Sequence, residues 1–160
     1  MYIVRSAQES DLQDLFELSK LENFLNLPND RARLEKNIQK SLSSFSSTSF
    51  NPKNTFLFCL EDLDKGKVIG TSVIHAKHGT EARPHFSLIV GKEAKKSISV
   101  DKSFTHTTLK LAVDTNGPTE IGGLVLAPEY RGSKYKLGKQ VAFARFLYMA
   151  ENPHLFGEII

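Results

Sequence analysis

Residues 124–149 read LVLAPEYRGSKYKLGKQVAFARFLYM, and the fold turns on how this stretch is parsed. Leu124-Val125-Leu126 closes a buried strand. Pro128 stops its ladder, because proline has no N–H to give. A short cationic loop follows, Arg131-Gly132-Ser133-Lys134-Tyr135-Lys136-Leu137-Gly138-Lys139. Val141, Phe143, Ala144, Phe146, Leu147 and Ala150 then recur at helical spacing, a pattern that predicts a broad buried helix face. Strand, glycine-containing basic loop and helix start form the arrangement in which backbone N–H groups at a helix N-terminus receive a phosphate. The cations add their charge to the helix dipole. The same pattern also describes an ordinary strand–loop–helix with a solvated basic loop, and this stretch by itself leaves both readings open.

The chain has 160 residues, the length of one domain with a proper core. Its 40% hydrophobic and 24% charged residues are ordinary for a globular protein. A net charge of +3 is too small to argue for nucleic acid. Residues 131–139 carry Arg131, Lys134, Lys136 and Lys139 without an acid, which favours a local anionic ligand over a polyanion. The single cysteine, Cys59, lies in the apolar run Phe56-Leu57-Phe58-Cys59-Leu60 and reads as a core thiol; it excludes an internal disulfide and a multi-cysteine zinc site. No apolar run approaches membrane-spanning length and the N-terminus lacks a signal-peptide core, so the cytoplasm is the expected compartment.

Outward from that stretch, the chain alternates in type. Tyr2 to Arg5 predicts a first strand. Ser10-Asp11 predicts a helix start, with Leu12, Leu15, Phe16 and Leu18 on its apolar face. A second helix is expected from Arg31 to Ser43, capped by Asp30, with Leu34, Ile38 and Leu42 spaced four apart. Ser41 to Asn54 is serine-rich and reads as a loop. Thr55 to Leu60, the turn Asp62-Gly66 and Val68 to Ala76 predict a β-hairpin. Phe86 to Val90 and Leu109 to Val113 are further strands, and Lys92 to Lys102 between them reads as a polar loop. Glu120 to Leu126 completes the series, and Glu158-Ile159-Ile160 resembles the start of another strand. The expected fold is α/β: a mixed, mostly antiparallel sheet flanked by helices, with a ligand crevice at the mouth of one strand.

The order of elements and the loop pattern Leu-x-Pro-x-x-Arg with a following Gly-Lys resemble the GNAT acyl-CoA-dependent N-acyltransferases. Within that superfamily the chain is most similar to the arginine N-succinyltransferase family. The likeness includes Val4-Arg5, Ser10-Asp11-Leu12, Leu27-Pro28, Leu34, Ile38, Ser41, Ser44-Phe45 and Phe56-Leu57-Phe58. It continues through Leu60-Glu61-Asp62, Gly66, Val68, Gly70-Thr71, Glu120, Leu124 to Leu126, Pro128, Arg131, Gly138 and Ala144-Arg145-Phe146. The chain departs from the family at two places. Lys134 and Lys136 stand where GNAT loops carry small residues, and Val113-Asp114-Thr115-Asn116-Gly117 lacks the histidine of the family's Asn-Asp-His-Thr-Gly segment. The resemblance implies a chain of about half the family's length, a GNAT-like domain over residues 1–160 whose C-terminal strands are missing.

The resemblance also implies a chemistry: transfer of an acyl group, succinyl for this family, from acyl-CoA to the α-amino group of arginine or a similar amine. The amine must lose a proton, the thioester carbonyl must meet a donor, and the CoA pyrophosphate must be held. Glu120 is then the candidate base, acting through water, and Val125 the candidate backbone donor to the carbonyl. Gly122-Gly123 would allow a bulge there. Leu124, Val125, Leu126, Arg131, Gly132, Ser133, Lys134, Lys136, Leu137, Gly138 and Lys139 would line the succinyl-CoA site. Glu120 also reads as a surface carboxylate at a strand end, and Arg145 as a structural residue salt-bridged to a neighbour. His75, His78, His85, His106 and His154 do not form a metal signature, and His106-Thr107-Thr108 reads as surface polarity. No phosphate-loop or nucleophile-elbow motif occurs. The competing readings are a non-catalytic CoA-binding or partner-binding domain of the same fold and, last, a nucleic-acid binder; the expected partners are small molecules, with a homo-oligomer or a missing C-terminal half open.

Overall fold

The computed structural model describes residues 1–21 and 27–159. In chain order it contains β1 (Tyr2–Ser6), α1 (Leu12–Leu21), α2 (Arg31–Phe45), β2 (Thr55–Asp62), β3 (Lys67–His75), β4 (His85–Ser97), β5 (Lys102–Asp114), β6 (Glu120–Leu126) and α3 (Leu137–Glu151). Two units are distinguishable, one built from Met1–Lys77 and Pro118–Ile160, the other from His78–Gly117.

The first unit is a four-stranded antiparallel sheet in the order β1-β2-β3-β6. β2 and β3 form the expected hairpin at its centre, which is why β2 is apolar on both faces. On one face Leu57, Cys59, Val73 and Val125 pack against Leu15 and Leu18 of α1 and Leu34 and Ile38 of α2. On the other, Leu60 and Ile69 meet Leu137 and Val141 of α3, and Phe56, Phe58 and Ile74 meet Met149. Each of these side chains contributes about 1.5–3 kcal/mol on leaving water. Cys59 is fully buried, and that burial, before the nearby charge of Asp11, pushes its thiol well up.

Asp30 caps α2 as expected, accepting from the Arg33 amide at 3.1 Å. The helix does not stop at Ser43, however, and the loop expected from Ser41 begins later. Ser41 and Ser44 are buried within α2, where their Oγ atoms accept from the amides of Leu57 and Thr55, each at 2.9 Å. β1 ends opposite Phe58, so these two amides of β2 lie beyond its reach. The serines satisfy an edge that no strand covers.

The second unit corrects another expectation. Lys92 to Lys102 is not a loop: β4 and β5 pair without interruption from His85↔Asp114 to Ser97↔Lys102, and only residues 98–101 turn, with Asp101 at φ 42°. The segment is polar because both faces of this hairpin are largely exposed. Phe86, Leu88 and Val90 stand opposite Val113, Leu111 and Leu109, and all six are exposed. His106, Thr107 and Thr108 pair with Glu93, Lys92 and Gly91 in the same hairpin.

α3 differs from expectation in which residues it buries. The inward stripe is Leu137, Val141, Arg145 and Met149, four apart throughout. Phe143 is 60% exposed and Leu147 67% exposed, so the broad apolar face read from the sequence is mostly turned outward. Thr119 forms a parallel bridge to Ile159 and its amide donates to the Glu158 carbonyl at 2.6 Å, the beginning of a further strand beside β6; Ile160 lies outside the described residues.

Candidate functional site

β6 carries the bulge that its glycine pair suggested. Between Thr71↔Val125 and Val73↔Gly122, β3 advances two residues while β6 advances three. Gly123 takes φ +61°, and a Cβ there would stand 2.9 Å from Val73 Cγ2. Conformation and space therefore both require glycine. Two side chains hold the bulge. Thr71 Oγ1 donates to the Gly123 carbonyl at 3.2 Å, and Arg145 Nη1 reaches from α3 to the Gly122 carbonyl at 2.9 Å.

The bulge decides which amides of β6 face outward. Ala127 N donates to the Ile69 carbonyl at 2.8 Å, and Val125 stands opposite Thr71. Alternation along an antiparallel ladder then turns the Val125 N–H toward β3 and that of Leu126 toward the open edge, while Leu124 lies within the interruption. The donor role expected of Val125 therefore conflicts with its place in the ladder, and its side chain is buried in the core. Leu126 O faces the same open edge, where it accepts from Arg131 Nε at 3.0 Å.

After β6 the chain makes a 3-10 turn over Pro128–Tyr130 and the basic loop. The Tyr130 hydroxyl donates to Asp62 at 3.0 Å and Tyr130 meets Tyr2 edge to face, fixing the loop's first half to the β1–β2 side. Gly132 takes φ +71° with open space around it. Lys136 adopts the left-handed conformation, φ 52°, at the entry to α3, and its carbonyl accepts from the Lys139 and Gln140 amides at 2.9 and 3.2 Å. Thus Leu137, Gly138 and Lys139, read as loop, form the first helical turn. The amides of Leu137 and Gly138 precede the first acceptor of the helix, and α3 starts here beside Leu126: a Cβ on Gly138 would lie 3.9 Å from Leu126 Cδ2. The structure therefore brings Leu126, Arg131, Leu137 and Gly138 together at the carboxyl end of β6. Ser133 supports the loop from within, its carbonyl accepting from Lys136 N at 2.9 Å and its Oγ from Tyr135 N at 3.2 Å. Lys134 lies over the Tyr135 ring.

Glu120 opens β6 at the opposite end of the strand, directly across from His75, which stands across from Thr55. His75 Nδ1 and Thr55 Oγ1 are 3.2 Å apart, so a carboxylate, an imidazole and a hydroxyl stand in one cross-strand row. The row was not foreseen, because its members lie far apart in the chain and only strand register aligns them. Arg145 was misread as ion-paired. It is 6% exposed, its Nε donates to the Ala142 carbonyl at 3.1 Å, and burial alone pulls it below an arginine's usual range. The signal was present: a cation inside the four-residue stripe between Val141 and Met149.

A separate network ties β1 to the start of α1. Arg5 clasps Asp11 with Nη1 and Nη2 at 2.8 and 2.7 Å and holds Glu61 through Nε at 2.6 Å. The bonds to Asp11, then to Glu61, outweigh desolvation and raise the Arg5 guanidinium further. Burial would raise Asp11, but the Arg5 pair and the Gln8 amide at 2.8 Å win and lower it. Among the described residues no cluster of metal-ligating side chains occurs, and no helix is long and apolar enough to cross a membrane.

A bulged fourth strand feeding a basic loop and a helix start, on an antiparallel sheet flanked by helices, is the GNAT fold. A plant glucosamine-6-phosphate N-acetyltransferase (Arabidopsis thaliana) superposes over 100% of this chain and 80% of its own at a TM-score of 0.51 and 12% identity, a likeness of fold alone. Residues 2–160 match the family described as arginine N-succinyltransferase beta subunit, and the chain belongs to that family. The arginine N-succinyltransferase subunit beta of Pseudomonas aeruginosa is 33% identical over 98% of this chain and 45% of its own. The arginine N-succinyltransferase of Yersinia pestis (strain Pestoides F) is 33% identical over 94% of this chain and 43% of its own. The structure of arginine/ornithine succinyltransferase subunit AI from Pseudomonas aeruginosa aligns at a TM-score of 0.86 and 27% identity, over 98% of this chain and 48% of that one. The chain thus spans about half the length of the relatives it matches.

Proposed function

We propose that this chain, as one GNAT-like domain, binds succinyl-CoA and takes part in succinyl transfer to the α-amino group of arginine. The observation that carries the reading is the meeting of the bulged strand, Arg131 and the α3 start at Leu126. The first-turn amides of Leu137 and Gly138, with the side chains of Arg131, Lys134, Lys136 and Lys139, would receive the pyrophosphate. The pantetheine would run along the open edge of β6. There the outward amide of Leu126, rather than that of Val125, would donate to the thioester carbonyl.

The amine attacks the thioester carbon directly. An α-amino group is mostly protonated at neutral pH, so its proton must first leave, to Glu120 through water, with His75 across the strand. The tetrahedral oxyanion collapses as the C–N bond persists and the C–S bond breaks, and the proton that the attacking nitrogen sheds goes to the departing CoA thiolate. No covalent enzyme intermediate is required. The family relationship supports the succinyl group and arginine as the substrates.

Binding without turnover is the second reading. Lys136 favours it, since it occupies a left-handed position where glycine would be unstrained. Calorimetric titration with CoA and succinyl-CoA, followed by an assay for arginine-dependent CoA release, separates the two. Arg131→Ala should weaken CoA binding by about 1–3 kcal/mol. Unchanged affinity in that variant would remove the loop from the site, and binding without CoA release would leave only the second reading.

A further inference from the structure

Arg145 is the buried cation among the described residues, and no carboxylate accompanies it. Arg5 is already committed to Asp11 and Glu61. Arg145 instead donates from Nε to the Ala142 carbonyl and from Nη1 to the Gly122 carbonyl. Two neutral acceptors leave the net charge uncompensated, and a guanidinium has five N–H donors. A desolvated cation of this kind is costly unless a counter-ion joins it. Its planar fork suits one anion above others, the carboxylate.

We infer that Arg145 binds the free carboxylate of a dicarboxylic acyl group whose thioester lies along β6. This rests on the acyl-CoA reading above and adds to it the element that tells a dicarboxylic acyl chain from a neutral one. The dimensions agree. Leu126, with its outward amide, stands opposite Gly70, three residues along β3 from Val73, the partner of Gly122, whose carbonyl Arg145 holds. At a strand rise of about 3.3 Å per residue that is roughly 10 Å. A four-carbon diacyl chain measures about 4 Å from first to last carbon, and a hydrogen bond of about 2.9 Å at each end spans the remainder.

The test compares succinyl-CoA with butyryl-CoA, which has the same number of acyl carbons and no terminal charge, by calorimetric titration of the unmodified chain, Arg145→Lys and Arg145→Met. The unmodified chain should prefer succinyl-CoA about tenfold or more, as expected of a charge-assisted contact. Arg145→Met should erase that preference by weakening succinyl-CoA alone, and Arg145→Lys should keep part of it. Since Arg145 also holds the bulge, thermal unfolding of each variant is recorded. Should Arg145→Met not fold, the unmodified chain and Arg145→Lys still decide. Equal affinity for both thioesters in the unmodified chain, or a preference that survives in Arg145→Met, overturns the inference while CoA binding stands. Absence of any CoA thioester binding overturns the acyl-CoA reading and the inference together.

Discussion

Asp11 shows how one carboxylate can serve several elements. It accepts both Nη atoms of Arg5, on β1, and the Gln8 amide at the entry to α1. Because its pKa is lowered in the folded state, its contribution is complete above the unfolded value, about 4, and fades as the pH falls through the folded value. Removing one partner of a fully buried pair costs about 3–5 kcal/mol. Arg5 keeps a fifth of its side chain in water, so Asp11→Asn should cost less, about 2–3 kcal/mol at pH 7. Urea unfolding of both proteins at pH 7 and below pH 3 checks this, with the gap expected to close at the lower pH. A gap independent of pH would mean that shape, not charge, is what Asp11 supplies. At this scale the sequence was only half legible. Val4-Arg5 and Ser10-Asp11 stood out by resemblance, but their pairing depends on a strand end meeting a helix start, which spacing does not encode. Arg145 was visible as an anomaly, a charge in an apolar stripe, and its acceptors became known only with the bulge.

The elements themselves were read well where pattern and packing agree. β2 and β3 are apolar because both faces are covered, and Asp30 marks α2 because its carboxylate has a helix amide to accept. One kind of failure comes from polar residues that look solvated but serve the backbone. Ser41 and Ser44 read as loop, yet they replace a missing strand for the amides of Leu57 and Thr55. Ser41→Ala and Ser44→Ala should each cost about 1–3 kcal/mol, the penalty of a buried amide without an acceptor. The two should be nearly additive, because each serves a different amide. Chemical denaturation of the single and double variants tests this, and losses under half a kilocalorie per mole would mean water replaces the hydroxyls. Lys92 to Lys102 failed for the opposite reason. A hairpin exposed on both faces has no buried side to impose alternation, so its sequence carries no strand period.

For the whole molecule, the two units should differ in how firmly they hold their amides. The four-stranded sheet is covered on both faces, whereas β4 and β5 pair only with each other and expose most of their side chains. An isolated two-stranded hairpin is marginal in water. Native-state hydrogen exchange should therefore find β2 and β3 amides protected to near the global unfolding free energy, and β4 and β5 amides exchanging much sooner. Equal protection in both units would mean that the hairpin unfolds only with the sheet. The order of strands, helices and loop was legible at this scale, because each element's apolar pattern and turn chemistry point the same way. The exposed apolar faces of the hairpin and of α3 were not, because an apolar residue in a sequence does not say what covers it.

The extra residue at Gly122-Gly123 works along β6 as a change of reading frame works along a message. Ile121 and Leu126, five positions apart, both turn toward the α3 side of the sheet, although an unbroken strand would send them to opposite sides. Deleting either glycine would restore the count of two and leave Ile121 and Leu126, then four positions apart, still on one side, so what would be lost is the bulge itself. The same residue that opens the strand's edge thus lets one strand follow two different phases of inside and outside.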